Sequence, residues 1–531
     1  MSTPPRPTDR ATLLVGLAQP RVYDLAIIGG GASGLGIALD AAARGLSVLL
    51  LESHDFAKGT SSRSTKLVHG GVRYLAQGRL SLVRDALRER RTLLQNAPHL
   101  AQPLPFVMPA YNCWEKPVYG AGLKFYGALS GAHALGPTEF LSRSQAINCL
   151  PNVRQHKLQG GVKYWDGQFD DARLALALAR TAASRGALLL NYCAVTDLVH
   201  DRGRVIGLHC QDVETGMRYT VKAGCVINAT GVWVDEFRRK DGALLGQTLD
   251  SVVAPSQGVH LVVDRSFMPS DCALLIPHTR DGRVLFALPW LGALILGTSD
   301  TPRLDLPREP LALRGEVAFI LAEVGRYLEQ GPSAADVKSV WVGLRPLVKQ
   351  PNEAGRNTQD LSREHAVLVS ASGLVSVTGG KWTSYRSMAN HVLERCVQES
   401  LLKRTQVSPT RALKLVGAVG VMPQVDLRRA QGLHSYGDEQ HWVASMPGAE
   451  RDLGAGLSEA MVRFAARFEY ARRTEDVLAR RSRLLFLDAA LAEKLAQQVG
   501  EILQQETGID PQTQAFSALT KNYLLSPEHF S

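Results

Sequence analysis

A chain of 531 residues is too long for one compact core, since single domains stop growing near about 250–300 residues, and two or three domains are expected. The contents of 45% hydrophobic and 21% charged residues are close to the globular average and exclude a collagen-like, coiled-coil or wholly disordered protein. The formal net charge of +10 favours an anionic partner, without deciding between phosphate, lipid and nucleic acid.

Cysteine spacing and apolar runs predict neither a metal centre nor a membrane span. The seven cysteines lie far apart without a CxxC pair, which argues against a disulfide framework, a zinc site or an iron–sulfur cluster and favours a reducing compartment. The longest uncharged apolar stretch, 284–299, is broken by Pro289 and is shorter than the roughly 20 residues that cross a bilayer. Residues 1–22 contain four prolines and only a short apolar run, so we interpret them as a flexible leader.

The first clear pattern is a strand that runs into a glycine turn and then a helix. The β-branched and aliphatic run at 23–28 predicts a buried parallel strand, and Gly29, Gly31 and Gly34 complete a GxGxxG motif directly after it. An alanine-rich helix is predicted over 33–44. Glycines in such a turn let a pyrophosphate approach backbone N–H groups at the positive end of the helix.

A second predicted strand, 47–51, ends at Glu52, and this acidic residue makes the unit far more specific than its glycines alone. Glu52 lies 18 residues after Gly34, where a carboxylate can accept hydrogen bonds from a ribose and would repel a 2′-phosphate. The unit therefore predicts an adenosine with free ribose hydroxyls, as in FAD or NAD.

Two later strand–glycine units decide between these dinucleotides. Residues 225–231 form a predicted strand and a small-residue turn, and residues 374–381 form a strand and a glycine turn that lead into a predicted helix. A helix N-terminus there can face the pyrimidine edge of an isoalloxazine ring and stabilise its negative charge on reduction. NAD requires no such distant second unit, so FAD is the predicted cofactor.

Beyond these units, a set of motifs resembles the FAD-dependent, respiratory glycerol-3-phosphate dehydrogenases. The motifs occur in family order from residue 22 to about residue 395, and a weaker match resumes at 472–482. They are TSSRSTKLVHGGVRYL (60–75), WDGQFDDAR (165–173), VHLVV (259–263), GTSD (297–300), GLRPL (343–347), SREH (362–365) and GGKWTSYR (379–386).

The resemblance implies an α/β fold with a Rossmann-like FAD-binding domain of the glycine- and amino-acid-oxidase-like type, an antiparallel-sheet substrate domain and a C-terminal α-helical domain. Short alternating apolar runs in 252–300 and helical apolar spacing beyond 396 agree with this division. Five glycines from 432 to 456 predict short helices or none within 405–460. The expected boundaries are 23–105, 160–250 and 360–395 for the FAD-binding domain, 106–159 and 251–359 for the substrate domain, and 396–531 for the helical domain.

The resemblance also assigns the residues that hold FAD. The hydroxyls of the 60–64 loop are expected to reach phosphate and ribityl oxygens. Because loops rich in serine and threonine are usually flexible connections, this assignment depends on the resemblance. A covalent link to His69, the histidine nearest the motif, is not predicted. The cofactor residues are Gly29, Gly31, Gly34, Glu52, Thr60, Ser61, Ser62, Ser64, Lys66, Leu67, Ala229, Gly231, Gly380 and Lys381.

The candidate substrate residues are mainly cations, as a phosphorylated alcohol requires. Arg345 and Arg363 are the candidates for the phosphate, because a guanidinium binds it through two parallel hydrogen bonds. In GLRPL the charge of Arg345 lies inside an apolar loop, which costs free energy unless an anion or a carboxylate compensates it. The remaining candidates by family position are Arg73, Tyr74, Thr298 and Lys381.

His260 is the candidate proton acceptor, because histidine titrates near neutral pH and this one lies in the apolar run 259–263. The alternative of a core histidine that is satisfied by a backbone carbonyl stays open. Arg345 is expected to share the catalytic role by stabilising an alkoxide.

Carried over to this chain, the family's reaction is the oxidation of sn-glycerol 3-phosphate to dihydroxyacetone phosphate, with hydride transfer from C2 to N5 of FAD and electrons passed to a membrane quinone. It implies peripheral attachment to the inner face of the cytoplasmic membrane, where the positive charge suits an anionic lipid surface. No nucleic-acid partner is expected, and a homodimer is left open. Seven arginines from 463 to 483 either contact lipid or form an exposed helix with local ion pairs.

Several rival functions stay open at this level. A glycerol-3-phosphate oxidase that uses O2 shares the fold and has no distinguishing motif. The catalytic subunit of an anaerobic complex ranks lower, because Cys396 is the last cysteine and no iron–sulfur module follows. A relative that oxidises amino or hydroxy acids would lack the pair of Arg345 and Arg363 in these surroundings. A non-catalytic FAD-binding scaffold is opposed by the intact substrate motifs.

Overall fold

The computed structural model describes residues 4–71, 80–349, 364–418 and 425–525. These ranges form two large β-sheets with helices around them and a helical C-terminal region that contains a third sheet of two short strands, as the predicted α/β class requires. The strands are β1 (Val22–Ile28), β2 (Val48–Leu51), β3 (Leu67–Val68), β4 (Ala101–Ala110), β5 (Glu139–Leu141), β6 (Gly160–Phe169), β7 (Leu188–Leu190), β8 (Cys193–Asp201), β9 (Arg204–Asp212), β10 (Arg218–Asn228), β11 (Val253–Asp264), β12 (Ala273–Ile276), β13 (Leu285–Trp290), β14 (Ala293–Gly297), β15 (Thr301–Pro302), β16 (Val337–Val348), β17 (His365–Val369), β18 (Val375–Gly379), β19 (Asp452–Gly454) and β20 (Leu457–Ser458). The α-helices are α1 (Arg10–Ala18), α2 (Ala32–Ala43), α3 (Leu80–Asn96), α4 (Glu115–Ser130), α5 (Arg143–Cys149), α6 (Asp171–Ser184), α7 (Val234–Leu244), α8 (Arg314–Gly325), α9 (Tyr385–Gln398), α10 (Gln440–Ala444), α11 (Glu459–Phe468), α12 (Leu484–Leu487), α13 (Ala489–Thr507) and α14 (Thr513–Thr520).

The first sheet has the strand order β17–β18–β10–β1–β2–β7, and the strands from β18 to β7 run parallel. Its two faces are both covered. Leu25 and Ile27 of β1 pack under α2, α6 and α9, whereas Ala26 and Ile28 face the core beneath α1, α7 and the β8–β9 hairpin. Such two-sided burial explains why β1 has a continuous apolar sequence rather than an alternating one.

The register of this sheet brings three glycine turns together. Ile28 at the end of β1 lies opposite Asn228 of β10, and Asn228 lies opposite Ser376 of β18. The carboxyl ends of the three parallel strands therefore share one edge of the sheet. The turns at 29–34, 229–231 and 379–380 follow these ends, as a dinucleotide site requires.

The second sheet has the strand order β15–β11–β14–β13–β12–β4–β6–β3, with β16 paired along β11 and β5 along β6. Its pairs are antiparallel except for β12 and β4. The expected boundaries differ here, because β6 falls in the segment 160–250 that was assigned to the FAD-binding domain. All ten residues of β6 pair with β4, and this pairing fixes β6 in the second sheet.

The C-terminal region is helical and packs onto the second sheet. The rings of Trp341 on β16 and Phe486 on α12 lie 5.4 Å apart, and the Ser339 hydroxyl donates to the Leu485 carbonyl oxygen at 2.8 Å. In the described part of 405–460, the α-helix α10 has only five residues, in agreement with the glycine content there. Of the helices within the described ranges, none combines the length and the apolar character needed to cross a bilayer.

Much of the arginine-rich stretch 463–483 lies inside the molecule, which differs from the expected contact with lipid. Local ion pairs of Arg463 with Glu459 and of Arg480 with Asp476 agree with the alternative, although Arg480 is buried rather than exposed. Arg480 and Arg481 are buried and form ion pairs with Asp55, and buried Arg483 lies 3.1 Å from Asp171. The other arginines that form ion pairs in this stretch do so with Glu459, Glu506 and Glu214. The buried pairs of Arg480, Arg481 and Arg483 tie the helical region to the first sheet and its helices, whereas Arg467 stays exposed.

The expectation of a flexible leader is wrong for residues 10–18, which form α1. Asp9 caps this helix by accepting a hydrogen bond from the Thr12 backbone N–H at 2.8 Å. Arg10 is buried, forms an ion pair with Asp212 and donates to the Asn191 carbonyl oxygen at 2.7 Å. Side-chain capping and a buried ion pair thus order the segment despite its prolines.

Candidate functional site

One cavity of about 920 Å³ lies between the two sheets. Its volume is near the upper end of the roughly 300–1,000 Å³ that small-molecule sites occupy. The wall on one side carries the three glycine turns, and the wall on the other side carries residues of β11 and β16 and the segment 298–300 that follows β14. A single cavity therefore brings residues of the predicted dinucleotide site and of the predicted substrate site together.

The first glycine turn has the geometry that its sequence predicts. Gly29 has a φ of +107°, and a Cβ there would lie 2.7 Å from the Ala229 carbonyl oxygen. Gly34 does not line the cavity, because it packs under the turn, where a Cβ would overlap the Gly29 carbonyl oxygen. Helix α2 begins at Ala32, whose N–H donates a hydrogen bond to the Ser61 hydroxyl at 2.9 Å, and the N-terminus of the helix lies in the cavity wall.

Glu52 lines the same end of the cavity and is held in place by the backbone. Its Oε2 accepts a hydrogen bond from the Gly30 N–H at 2.7 Å, and its Oε1 accepts from the His54 N–H at 2.9 Å. Two features of this end were not predicted from the sequence. The Arg308 guanidinium lies 3.8 Å from the ring centre of Trp233, and both side chains line the cavity beside Glu52.

The second and third glycine turns complete the wall. Gly231, Gly379 and Gly380 all have positive φ angles, of 62°, 82° and 77°. The Thr378 hydroxyl donates to the Gly231 carbonyl oxygen at 3.0 Å, which joins the two turns. Ala229, Gly231, Gly380 and Lys381 all line the cavity as expected. Backbone without side chains therefore forms much of the surface against which a flat ligand would lie.

The hydroxyl loop at 60–64 lines the cavity only in part. Thr60, Ser61 and Ser64 are in the wall, but each hydroxyl already has a protein partner, namely the Leu344 carbonyl oxygen, the Ala32 N–H and the Asp171 carboxylate. Ser62 is buried away from the cavity. The loop thus braces helix α2 and strand β16 as much as it faces a ligand.

The side chain of Lys66 does not line the cavity, so the cofactor contact expected for it is not found. Its ammonium is fully buried behind the cavity wall, 2.7 Å from Asp171 Oδ2 and 4.5 Å from the ring centre of Trp341. Burial, opposed by the Asp171 carboxylate, lowers the pKa of Lys66 to about 7. A positive φ of 64° turns the chain at this residue, which sends the side chain inward while Leu67 stays in the wall.

His260 lies on β11 with its ring in the cavity wall and only 2% of its surface exposed. Its Nε2 is 3.0 Å from the Thr65 hydroxyl, and its buried Nδ1 has no hydrogen-bond partner among the described residues. Burial, with the nearby charges of Lys66 and Arg345, holds the pKa of His260 well below its ordinary value. The ring is therefore neutral at physiological pH, and the backbone-satisfied alternative is not what the hydrogen bonds show.

Arg345 reaches the same cavity from β16, which pairs with β11. Its guanidinium lies 3.1 Å from the Thr298 hydroxyl and 3.3 Å from Asp300 Oδ1, so a carboxylate compensates its charge. Gly258, two residues before His260 on β11, leaves the space for it, because a Cβ there would overlap Arg345 Nη2. His260, Thr298 and Arg345 are thus brought together, whereas Arg73, Tyr74 and Arg363 lie outside the described residues.

Two polar groups at this end were missed, although both fall inside motifs that the sequence displays. Thr65 belongs to the 60–75 motif and contacts His260, and Asp300 belongs to GTSD and contacts Arg345. The contact of Asp300 with Arg345 depends on the pairing of β11 with β14 and β16, and the contact of Thr65 with His260 joins residues 195 positions apart, so no local pattern reveals either.

Beyond His260 the cavity continues into an apolar arm. The arm is lined mainly by aromatic and aliphatic side chains of the second sheet and of α4, with His278 and Arg283 as its basic members. The apolar members are Phe106, Met108, Tyr119, Tyr164, Leu275, Val284 and Phe286.

These residues fit FAD by their own chemistry. The N-terminus of α2 suits a pyrophosphate, an anchored carboxylate suits a ribose, and two glycine turns leave room for a flat ring. The Lys381 side chain and the N-terminus of the turn Trp382–Ser384 add positive charge beside those turns.

Comparisons with known proteins agree with the geometry. A family model described as FAD dependent oxidoreductase matches residues 24–386, and one described as the C-terminal domain of alpha-glycerophosphate oxidase matches residues 377–514. The fold and the site thus define an FAD-dependent oxidoreductase. The sequence is 40% identical over 538 residues to the mitochondrial glycerol-3-phosphate dehydrogenase of Rattus norvegicus, covering 94% of this chain and 72% of the relative. The chain belongs to the FAD-dependent glycerol-3-phosphate dehydrogenase family, and FAD is its cofactor.

Solved structures support the same assignment. The glycerol-3-phosphate dehydrogenase from Bacillus halodurans complexed with FAD superposes with a TM-score of 0.76 at 28% identity, covering 97% of this chain and 98% of that one. The glycine oxidase of Geobacillus kaustophilus has a TM-score of 0.51 at 22% identity over 75% of this chain and 99% of its own, and it shares the fold. The predicted fold class is therefore confirmed.

Proposed function

We propose that this chain oxidises sn-glycerol 3-phosphate to dihydroxyacetone phosphate and passes the electrons to a membrane quinone. The observation that carries the proposal is the position of His260 and Arg345, a neutral imidazole and a guanidinium on paired strands that face the cavity of the three glycine turns. The names of the relatives, which are glycerol-3-phosphate dehydrogenases, support the choice of substrate.

The alcohol oxidation needs an acceptor for the C2 hydride and a base for the hydroxyl proton. When bound, FAD supplies the hydride acceptor at N5. His260 is the base that we assign, and Nε2 is its accepting atom because Nδ1 is sealed from the cavity. The Thr65 hydroxyl, 3.0 Å from Nε2, orients the ring, and the substrate hydroxyl takes the place of this contact on Nε2 when it gives up its proton.

The phosphate is assigned to the cations around Arg345. Asp300 and the Ser299 carbonyl oxygen, 3.3 Å and 3.0 Å from the guanidinium, fix its direction and leave it charged. A guanidinium in a partly dry cavity binds a phosphate through charge-assisted hydrogen bonds. Thr298, Lys381 and, by resemblance, Arg363, Arg73 and Tyr74 complete the proposed phosphate and hydroxyl contacts.

The apolar arm supports a quinone as the electron acceptor, because a lipid-soluble ring requires an aromatic and aliphatic lining. The proposal therefore includes peripheral attachment to the inner face of the cytoplasmic membrane. A second candidate is an oxidase that uses O2, which the matched C-terminal domain of alpha-glycerophosphate oxidase favours by its description. A homodimer stays a prediction.

The test is anaerobic reduction of the flavin, followed at its visible absorption maximum, with sn-glycerol 3-phosphate, its enantiomer, glycerol and a polyol phosphate of different length. We expect rapid bleaching with sn-glycerol 3-phosphate alone. Persistent colour at saturating substrate would leave only the non-catalytic scaffold. Reoxidation of the bleached enzyme by a quinone analogue, compared with air, then separates the dehydrogenase from the oxidase.

A further inference from the structure

Helix α4 carries an unusual outward face. Trp114, Val118 and Phe125 expose 54%, 58% and 48% of their surfaces, although each is a large apolar residue. The residues between them on the same stripe are small or apolar and are also exposed, namely Pro117, Ala121 and Ala128. We call these six residues the outer face of α4, and it contains no charged side chain.

The inner face of α4 is fixed to the protein, so the helix cannot turn its outer face inward. Leu123 and Tyr126 are buried, and the Tyr126 hydroxyl donates to Asp166 Oδ2 at 2.9 Å while it accepts from the Gly70 N–H at 2.9 Å. A helix that is apolar on both sides is typical of one that is covered on both sides.

The edges of the outer face have the residues of a water–lipid boundary. Phe140 of β5 is 42% exposed and lies over Gly120, and the Lys124 ammonium lies 4.8 Å from its ring centre. Lysine beside aromatic rings, with Trp114 at the end of the helix, is the arrangement that amphipathic helices show at bilayer surfaces.

The size of the outer face argues against a second protein copy as its cover. A helix of 16 residues is about 24 Å long and about 10 Å wide, so one face offers about 240 Å². A stable dimer buries about 800 Å² on each partner, roughly three times as much. A bilayer needs no matching surface, and a single apolar face suffices for peripheral attachment.

We propose that the outer face of α4 is the surface on which this protein lies against a lipid bilayer. The proposal rests on the quinone-linked function above and names the surface that this function requires. Tyr119, on the flank of the same helix, lines the apolar arm of the cavity and lies beside His278, with ring centres 6.1 Å apart. A lipid-soluble acceptor that leaves the bilayer at α4 is therefore next to the apolar arm.

The test is cosedimentation of the FAD-loaded full-length protein with vesicles made of equal parts phosphatidylcholine and phosphatidylglycerol. In the variant W114S/V118S/F125S we expect the bound fraction at limiting lipid to fall about tenfold or more. The matched control is L244S/L304S/V407S, which removes three exposed apolar residues from other segments and should bind as the wild type does. Flavin content and melting temperature verify folding, and the single variant A121E provides a second, smaller change that should also weaken binding.

Two results overturn the proposal: equal vesicle binding by W114S/V118S/F125S and the wild type, or an equal loss of binding in the control. If equal binding is accompanied by a loss of oligomeric mass in W114S/V118S/F125S, the outer face of α4 covers a second protein copy instead. Turnover of sn-glycerol 3-phosphate with a water-soluble dye separates this proposal from the proposed function. If the dye is not reduced by the wild type, the function fails. If the dye is reduced equally by wild type and W114S/V118S/F125S while only the wild type binds vesicles, the surface assignment is supported.

Discussion

The imidazole of His260 stacks on the indole of Trp341, with ring centres 4.0 Å apart and planes inclined by 14°. The Lys66 ammonium lies 4.5 Å from the centre of the same indole. A fully buried cation is thus one ring away from the proposed base. Together with burial and Arg345, it keeps His260 neutral and available for a proton.

Replacing His260 by glutamine removes the proposed base and keeps a similar volume. We expect the rate of anaerobic flavin reduction by sn-glycerol 3-phosphate to fall by about 10²- to 10⁴-fold, the usual contribution of a general base, with FAD content unchanged. The control is His209→Gln, which changes an exposed histidine on β9. An undiminished rate in His260→Gln would assign the proton to another group.

Replacing Lys66 by methionine should move the pH dependence of the reaction. The Lys66 charge disfavours a second positive charge on His260, so its removal raises the pKa of His260. The acidic limb of kcat/KM should then move to higher pH by about 1 unit, which is about 1.4 kcal/mol. The charged groups that remain around these two residues are Asp170, Asp171, Arg483 and Arg345.

A histidine NMR titration with ¹³C at Cε1 gives a second readout of the Lys66 variant that does not depend on turnover. The matched control is Lys163→Met, which also removes an ammonium above an indole, 5.3 Å from the ring centre of Trp165, but on β6. If Lys66→Met retains FAD and both the limb and the His260 signal stay in place, the electrostatic coupling is absent.

Changes at Arg345 should affect the phosphate specifically. Arg345→Ala is expected to raise the apparent KM for sn-glycerol 3-phosphate by about 10- to 100-fold, because a hydrogen bond to a charged group contributes about 1.5–3 kcal/mol. Arg345→Lys should recover only part of this, since an ammonium lacks the two-pronged geometry. The same direction is expected for Arg363→Ala. The control is Arg303→Ala, an arginine paired with exposed Asp305. If Arg345→Ala raises the apparent KM for unphosphorylated glycerol by the same factor, the assignment of Arg345 to the phosphate fails.

The sequence predicted the parts of the site that depend on local geometry. Gly29 and Glu52 could be assigned because a strand, a turn and an acid in a fixed order leave few other arrangements. The position of Lys66 could not be predicted in this way. Its inward direction depends on a positive φ and on contacts with Trp341 and Asp171, which are far away in sequence. The burial of Arg480 and Arg481 likewise depends on Asp55, about 425 residues earlier. Long-range pairing of charges carries no local pattern.

Gly34 should be required for cofactor binding although it does not line the cavity. Gly34→Ala places a Cβ against the Gly29 carbonyl oxygen and must shift the turn that faces the pyrophosphate. We expect purified Gly34→Ala to contain little FAD, as measured by its visible absorbance per protein. The control is Gly315→Ala in α8, where a Cβ would meet nothing within 4 Å. Full FAD content in Gly34→Ala would exclude this close packing.

The stability of the fold should depend on pH through buried histidines. Burial, with the charges of Arg173 and Arg180, lowers the pKa of His99 to about 3. Below pH 6.5 the unfolded chain therefore binds a proton that the folded chain refuses, so stability falls as the pH falls. At pH 5 this contribution is about 2 kcal/mol per histidine.

The corresponding measurement compares the free energy of unfolding at pH 7.5 and pH 5 in the wild type and in His99→Gln. The decrease on acidification should be smaller in His99→Gln by about 2 kcal/mol. Exposed His156 provides the control, and His156→Gln should retain the full decrease. Equal decreases in the wild type and His99→Gln would show that His99 titrates alike in both states.

The parallel sheet has a consequence for synthesis on the ribosome. Tyr23 of β1 pairs with Ala223 of β10, and β18 joins only at residue 375. At roughly 5–20 residues per second, roughly 10–40 s pass between the synthesis of β1 and that of its neighbour β10. During that interval an apolar strand has an open edge in the nascent chain, so chaperone protection during translation should decide the yield of soluble protein.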